Sequence, residues 1–194
     1  GEYILIIDSD DYIENEMVKR LYDSMIHFDA DMSICNFCTV TTNGTRISVY
    51  PSDTIQNESM DEQKYWEKVY ESNSMCYVVA WNKLYKKKIW DSIRYPEGKV
   101  NEDAFVLHEI LERCQKIIGN AYVGYNYTVR NNSIMSNIQK KINFDVFDAW
   151  LLRIDYFEKN EKYSEERKQL SEYCVELMKR YDICITEQEK EIFK

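Results

Sequence analysis

The period of the apolar positions changes several times along the chain, and each change marks an element. The opening run Tyr3-Ile4-Leu5-Ile6-Ile7 is apolar at every position, short and largely β-branched. That pattern predicts a central strand of a parallel sheet covered on both faces. Met17, Leu21, Met25 and Phe28 then recur at helical spacing, which predicts a helix over 14–28. A strand is predicted over 31–40, and Asn43-Gly44 is a turn signal that folds it back onto a second strand over 47–50. A helix over 60–71 carries Tyr65, Trp66, Val69 and Tyr70 on one side.

The segment 76–99 reads as mixed: a short strand, a basic turn or short helix, and a loop closed by Pro96 and Gly98. A helix capped by Asn101 follows, with Ala104, Leu107, His108 and Leu111 along one face. Residues 116–130 are strand-like, and two helices are predicted over 142–159 and 164–185. Their stripes, Phe147-Trp150-Leu151-Ile154 and Leu170-Tyr173-Leu177-Tyr181, read as core or subunit contact. The alternation of strands and helices gives an α/β class with helices flanking a sheet and a helical extension at the C-terminal end. The division expected is 1–138 and 139–194.

Composition narrows the function classes. At 194 residues the chain fits one domain, or a domain with a helical appendage. Hydrophobic residues make up 44%, with 16 Tyr, so material for a packed core is ample, and 5 Gly with 2 Pro argue against long linkers. A net charge of −9 disfavours a nucleic-acid binder, which needs clustered Lys and Arg; it suits a cleft that recruits a cation. Six cysteines sit inside apolar patterns, which reads as buried free thiols in a reducing compartment. Cys35 and Cys38 have CxxC spacing but no second pair, and the chain has only two His, so a zinc site is not expected there. His27 and His108 fall within helical patterns and read as structural. No run approaches the ~18–20 apolar residues of a membrane span. The expected location is the cytoplasm, including its membrane face.

The candidate chemistry begins where the first strand ends. Asp8, Asp10 and Asp11 follow it directly, and open α/β sheets bind ligands beyond the carboxyl ends of their strands. Three acids in four residues repel one another unless a cation or hydrogen-bond donors compensate, and a hard divalent ion is the natural partner of oxygen ligands. An Asp-rich turn before a helix is the simpler reading, and Asp11 fits it as well as it fits a ligand.

Four segments carry a resemblance. "GEYILIIDSDD", "AWNKLYKKKIW", "RYPEGKVNEDAFV" and "YNYTVRNNSI" occur in this order, and the chain from Gly1 to Asn137 resembles bacterial family 2 glycosyltransferases of the GT-A type. The resemblance implies that a nucleotide-binding segment belongs upstream of Gly1, so that this chain is a truncated GT-A sheet. It implies that Asp10 ligates Mg²⁺ or Mn²⁺, with Asp8 on the donor ribose or in the metal shell. Asp103 matches the general base that takes the acceptor hydroxyl's proton while configuration inverts. Trp81, Asn82, Lys83 and Glu102 match the acceptor side, and Arg130 and Ser133 a loop over the diphosphate. The implied partners are a nucleotide-sugar donor and a glycan or glycoprotein acceptor.

Without the resemblance, Glu102 and Asp103 read simply as acids favoured in a first helical turn. Two other functions compete with an inverting transferase: a non-catalytic assembly or acceptor-binding module, and a metal-dependent phosphoryl-transfer or hydrolase domain resting on the Asp cluster alone. The unpaired opening strand is a template for pairing, from which a homo-oligomer is expected.

Overall fold

Two long strands carry the sheet. The computed structural model describes residues 1–49, 54–72, 75–130, 144–161 and 163–180. Among them β3 (Met32–Thr41) and β7 (Ile117–Val129) run parallel along their length, from Met32 opposite Ile117 to Thr41 opposite Val129. Nine of ten β-branched, aromatic, sulfur-bearing or small residues in β3 suit a sheet covered on both faces, and its first seven positions are buried. The sheet order is β1-β6-β3-β7-β2, with β4 (Arg46–Val49) paired to β3 and β5 (Ser59–Met60) to β7. Here β1 is Tyr3–Leu5, β2 Tyr12–Ile13 and β6 Lys83–Lys86. Gly119 in β7 permits a close approach: a Cβ there would lie 2.3 Å from the Gln56 carbonyl oxygen.

Helices close the two faces. The helix α1 (Met17–Phe28) buries Met17, Leu21 and Met25, and full burial of such side chains stabilises by about 1.5–3 kcal/mol each. α2 (Glu62–Ser72), the single turn α3 (Met75–Val78) and α4 (Glu102–Glu112) follow, with a 3₁₀ turn over Lys87–Trp90 between β6 and α4. α5 (Phe144–Lys159) lies on α4, and α6 (Ser164–Arg180) on α5 and α2. The described residues thus form a mixed α/β structure, a curled sheet with flanking helices, as the sequence predicts. No helix among them is long and apolar enough to cross a membrane. Cys35, Cys38, Cys76, Cys114 and Cys174 are free and buried. The boundary expected at 138/139 lies outside the described residues.

Four local expectations are corrected. The opening run is a three-residue, half-buried strand, antiparallel to β6 instead of central in a parallel sheet, and Ile7 beyond it is 44% exposed. Phe28 is 48% exposed, because the left-handed Asp29 ends α1 at that residue. Asn101 occupies the cap position of α4 but caps nothing with its side chain: its φ of 56° is left-handed, and Asp103 Oδ1 instead accepts the Ala104 N–H at 2.9 Å. Tyr173 is 48% exposed while Leu170 is buried, so the stripe expected on α6 does not close as a core.

Candidate functional site

Strand directions decide which residues meet. β6 is antiparallel to both β1 and β3, so β1, β3 and β7 all point the same way. The loop after β1, the start of β6 and the start of α4 therefore gather at the carboxyl end of the sheet, where α/β folds bind ligands.

In this loop the three acids have different surroundings. Asp11 is fully engaged: its Oδ2 accepts the Tyr125 hydroxyl at 2.8 Å and its Oδ1 the Thr128 N–H at 2.7 Å. Tyr125 Oη in turn accepts the Asp8 N–H at 3.1 Å. Asp11 thus ties the loop to β7, and its role is structural. Asp8 and Asp10 are exposed. Partial burial, then the neighbouring charges of Asp11, Glu102 and Asp10, push the Asp8 carboxyl up to about 6. Asp10 meets Arg130 at 3.6 Å, a pair exposed on both sides and so a weak one.

Asp103 completes the group from the first turn of α4. Burial, then Glu102, raise it to about 6, against opposing contributions from Lys83 and the Ala104 N–H; Asp8 adds to the rise. Glu102 is exposed beside it, and the positive end of α4 offsets part of the repulsion. Asp8, Asp10, Glu102 and Asp103 are therefore brought together, with Arg130 at their edge. Ser133 lies outside the described residues.

Trp81, Asn82 and Lys83, which match the acceptor-side segment, are all buried. Trp81 is 5% exposed and stacks on Tyr125, with ring centroids 4.2 Å apart. The Asn82 amide is spent on the Cys35 and Cys76 carbonyls, at 2.7 and 2.9 Å. Lys83 is 1% exposed, and its ammonium donates to the Cys76 carbonyl at 3.0 Å, to Asn82 Oδ1 at 2.8 Å and to the Val79 carbonyl. Burial pulls it down to about 7, against the opposing charge of Asp103. The physical reason is that three backbone carbonyls and an amide satisfy these groups in the interior, so one lysine of the basic segment is folded inward.

Sequence reasoning missed Tyr125 and Tyr127, both of which stack on Trp81; their two-residue spacing just before Arg130 was the signal available. It also missed Tyr95, whose hydroxyl burial and then the charges of Asp103, Glu102 and Asp8 push upward. Behind Asp103, the helices α2 to α6 enclose a cavity of about 470 Å³, lined by Asp103, Asn101, Tyr70, Trp150 and Arg153 among others. Trp150 and Tyr173, both in its lining, pack edge to face with ring centroids 5.1 Å apart. Among the described residues no group of three or more His, Cys, Asp or Glu is arranged to hold a metal ion by itself. The donor set at Asp8 and Asp10 is nonetheless all oxygen and under-neutralised, which fits a hard cation whose shell a ligand completes.

No protein-family model matches the chain. It is 27% identical over 158 residues to the glycosyltransferase GlyA of Streptococcus pneumoniae, covering 79% of this chain. It is 28% identical over 146 residues to the glycosyltransferase GlyG of the same organism, covering 70%. The chain spans 23% and 46% of those relatives' lengths. In fold it is similar to the crystal structure of S. aureus TarS 1–349 in complex with UDP-GlcNAc, with a TM-score of 0.65 at 16% identity; the match covers 100% of this chain and 55% of that one.

Proposed function

We propose that this chain is the catalytic and acceptor-side part of an inverting family 2 glycosyltransferase of the GT-A type. It moves a sugar from a nucleotide-diphosphate donor to a hydroxyl of a bacterial glycan or glycoprotein. The observation that carries the reading is the meeting of Asp103 with the Asp8–Asp10 loop at the carboxyl end of the sheet, with Asp103 raised to about 6. The sequence likeness to GlyA and GlyG supports the reaction class.

Asp103 accepts the proton of the acceptor hydroxyl as that oxygen attacks the anomeric carbon. The bond from that carbon to the diphosphate breaks on the opposite face, so configuration inverts. A base near neutrality balances availability against driving force, which an ordinary carboxylate does not. Asp10 and Asp8 would hold Mg²⁺ or Mn²⁺, which would supply charge neutralisation for a departing diphosphate. Arg130, beside Asp10, contributes a second cation there. Tyr125 and Asp11 fix the loop, while Lys83 sits beneath Asp103 and holds it partly ionised.

The test is release of nucleoside diphosphate from a panel of nucleotide sugars in the presence of Mn²⁺ and a hydroxyl acceptor. Asp103→Asn is expected to lower kcat by ~10²–10⁴-fold with donor KM little changed. An Asp103→Asn protein that keeps more than about a third of its turnover, far less than a general base contributes, would remove Asp103 from the mechanism. Self-association belongs to the same proposal. β1 has one sheet neighbour among the described residues, and Val18, Tyr22 and Ile26 are exposed along the outer side of α1. Sedimentation that shows only monomer at roughly the tens-of-micromolar concentrations where modest interfaces associate counts against it.

A further inference from the structure

The turn that carries the acidic residues is held largely from outside itself. Within it, the Asp11 N–H donates to the Asp8 carbonyl at 3.1 Å. The other bonds come from β7. The Tyr125 hydroxyl stands between the two ends of the turn, donating to Asp11 Oδ2 at 2.8 Å and accepting the Asp8 N–H at 3.1 Å. An N–H can only donate, so the single hydroxyl proton goes to the carboxylate and both bonds have a fixed direction. The Thr128 N–H takes Asp11 Oδ1 at 2.7 Å. Beyond the turn, Tyr12 and Ile13 pair with Asn126 and Tyr125, and the Glu14 N–H donates to the Gly124 carbonyl at 2.8 Å.

Tyr125 is itself held in place. Its ring is buried and stacks on Trp81, with the two planes 21° from parallel. Trp81 meets the edge of Phe37 at 4.7 Å and lies flat against Tyr127 at 5.8 Å. The neighbouring Asn82 ties this segment to the Cys35 and Cys76 carbonyls. Trp81 is therefore too deep to meet a ligand, although its segment matches the acceptor side of the transferases the chain resembles. What it reaches instead is the acidic turn, through one ring and one hydroxyl. Three acids in four residues repel one another, and the partners behind metal ligands commonly fix the ligands' orientation.

We propose that Tyr125 is a positioning residue for a divalent cation at Asp8 and Asp10, with Trp81 as the face that holds Tyr125 there. Tyr125 acts through the main chain. By gripping the Asp8 N–H and the Asp11 carboxylate at opposite ends of the turn, it keeps the Asp8 and Asp10 carboxylates from spreading under their mutual repulsion. The three acids then divide their work: Asp11 is the anchor, and Asp8 and Asp10 are left to the ion. The inference rests on the transferase reading and gives the buried part of the acceptor-side segment a role in it.

The test uses the full, isotope-labelled chain. Mn²⁺ is titrated in while NMR follows the amide signals of residues 8–11, and hydrogen exchange of the Asp8 amide is measured without metal. Mn²⁺ is expected to broaden this turn in the wild type before other acidic surface positions. Tyr125→Phe keeps the stack and, by circular dichroism, the fold. It is expected to exchange the Asp8 amide faster and to need about tenfold more Mn²⁺ for the same broadening, the low end of what partners behind metal ligands contribute. Trp81→Phe, which keeps an aromatic face with less overlap, is expected to move both readouts the same way by a smaller factor; unchanged readouts remove Trp81 from the device. A folded Tyr125→Phe protein within about twofold of wild type in Mn²⁺, well below that range, overturns the proposal. So does tighter binding on release of Asp11, or a wild-type turn that Mn²⁺ broadens no earlier than the rest of the surface. The outcomes separate from those of the transferase reading. Tyr125-dependent Mn²⁺ binding in a protein that releases no nucleoside diphosphate keeps the positioning role and removes the transferase reading. Transfer with Mn²⁺ binding indifferent to Tyr125→Phe removes the positioning role alone.

Discussion

At the end of the sheet where β3 and β7 begin, the Asp31 carboxylate is 7% exposed and surrounded by partners. Lys88 and Lys86 lie 3.0 and 3.2 Å from it, and the Gln115 N–H donates at 3.0 Å. Burial alone would push it up, but Lys88, the Gln115 N–H and Lys86 outweigh burial and hold it below the usual carboxylate range. At the opposite end, Asp103 is half-buried beside Glu102 and Asp8, with one cation near it that is itself pulled down to about 7. The same residue type at two ends of one sheet is stabilised in one place and left under-compensated in the other. Stability does not require that second arrangement, so it points to a ligand or a reaction. Asp11 makes the same point within the acidic loop, being saturated where Asp8 is not.

The comparison breaks most visibly in turnover. Asp103→Asn is expected to cost the ~10²–10⁴-fold of a lost general base, whereas Asp31→Asn should lower stability and leave kcat per folded molecule alone. Equal loss of kcat in both variants would mean that the two ends do not differ in kind.

Next in size is the polar layer beneath the site. Asn82→Ala removes the amide that serves the Cys35 carbonyl and the Oδ1 acceptor of Lys83, and leaves the Cys76 carbonyl to Lys83 alone; a buried unsatisfied group costs about 1–3 kcal/mol. Urea unfolding of Asn82→Ala that shifts by less than about 0.5 kcal/mol, well under that penalty, would show that the layer is not a support.

A smaller effect lies in pH. The folded pKa of Asp103, about 6, is above the ordinary value of 3.8. Its contribution to stability is therefore fully present below 3.8 and lost as pH rises through about 6. Asn mimics the neutral acid, so Asp103→Asn should match wild type in Tm near the low end of that window and exceed it above the window, in metal-free buffer. A Tm difference that is constant with pH, or grows toward acid, contradicts the assignment.

Much of this was legible in the chain. The Asn43-Gly44 hairpin, the α1 stripe of Met17, Leu21 and Met25, and the strand after residue 116 all follow from local pattern, and the structure has them. Local order also brought out Asp8 and Asp10 at a recognisable turn, whereas Asp103 and Arg130 came from the resemblance of their segments. Lys83 and Arg153 were not legible as buried cations. The partners of Lys83 are mostly backbone carbonyls, which leave no residue signature, and Arg153 shares its helix with an apolar stripe that hides its direction. Tyr125 reads as one strand residue among many until β7 is laid beside the acidic loop.

The central claim is that the carboxylates at the two ends differ in protonation because their surroundings differ. Side-chain carboxyl NMR of the full chain, titrated without metal, measures this directly. Asp103 is expected to titrate near 6, with Asp31 below the usual carboxylate range. An Asp103 midpoint at or below 3.8, the ordinary value, would contradict the account.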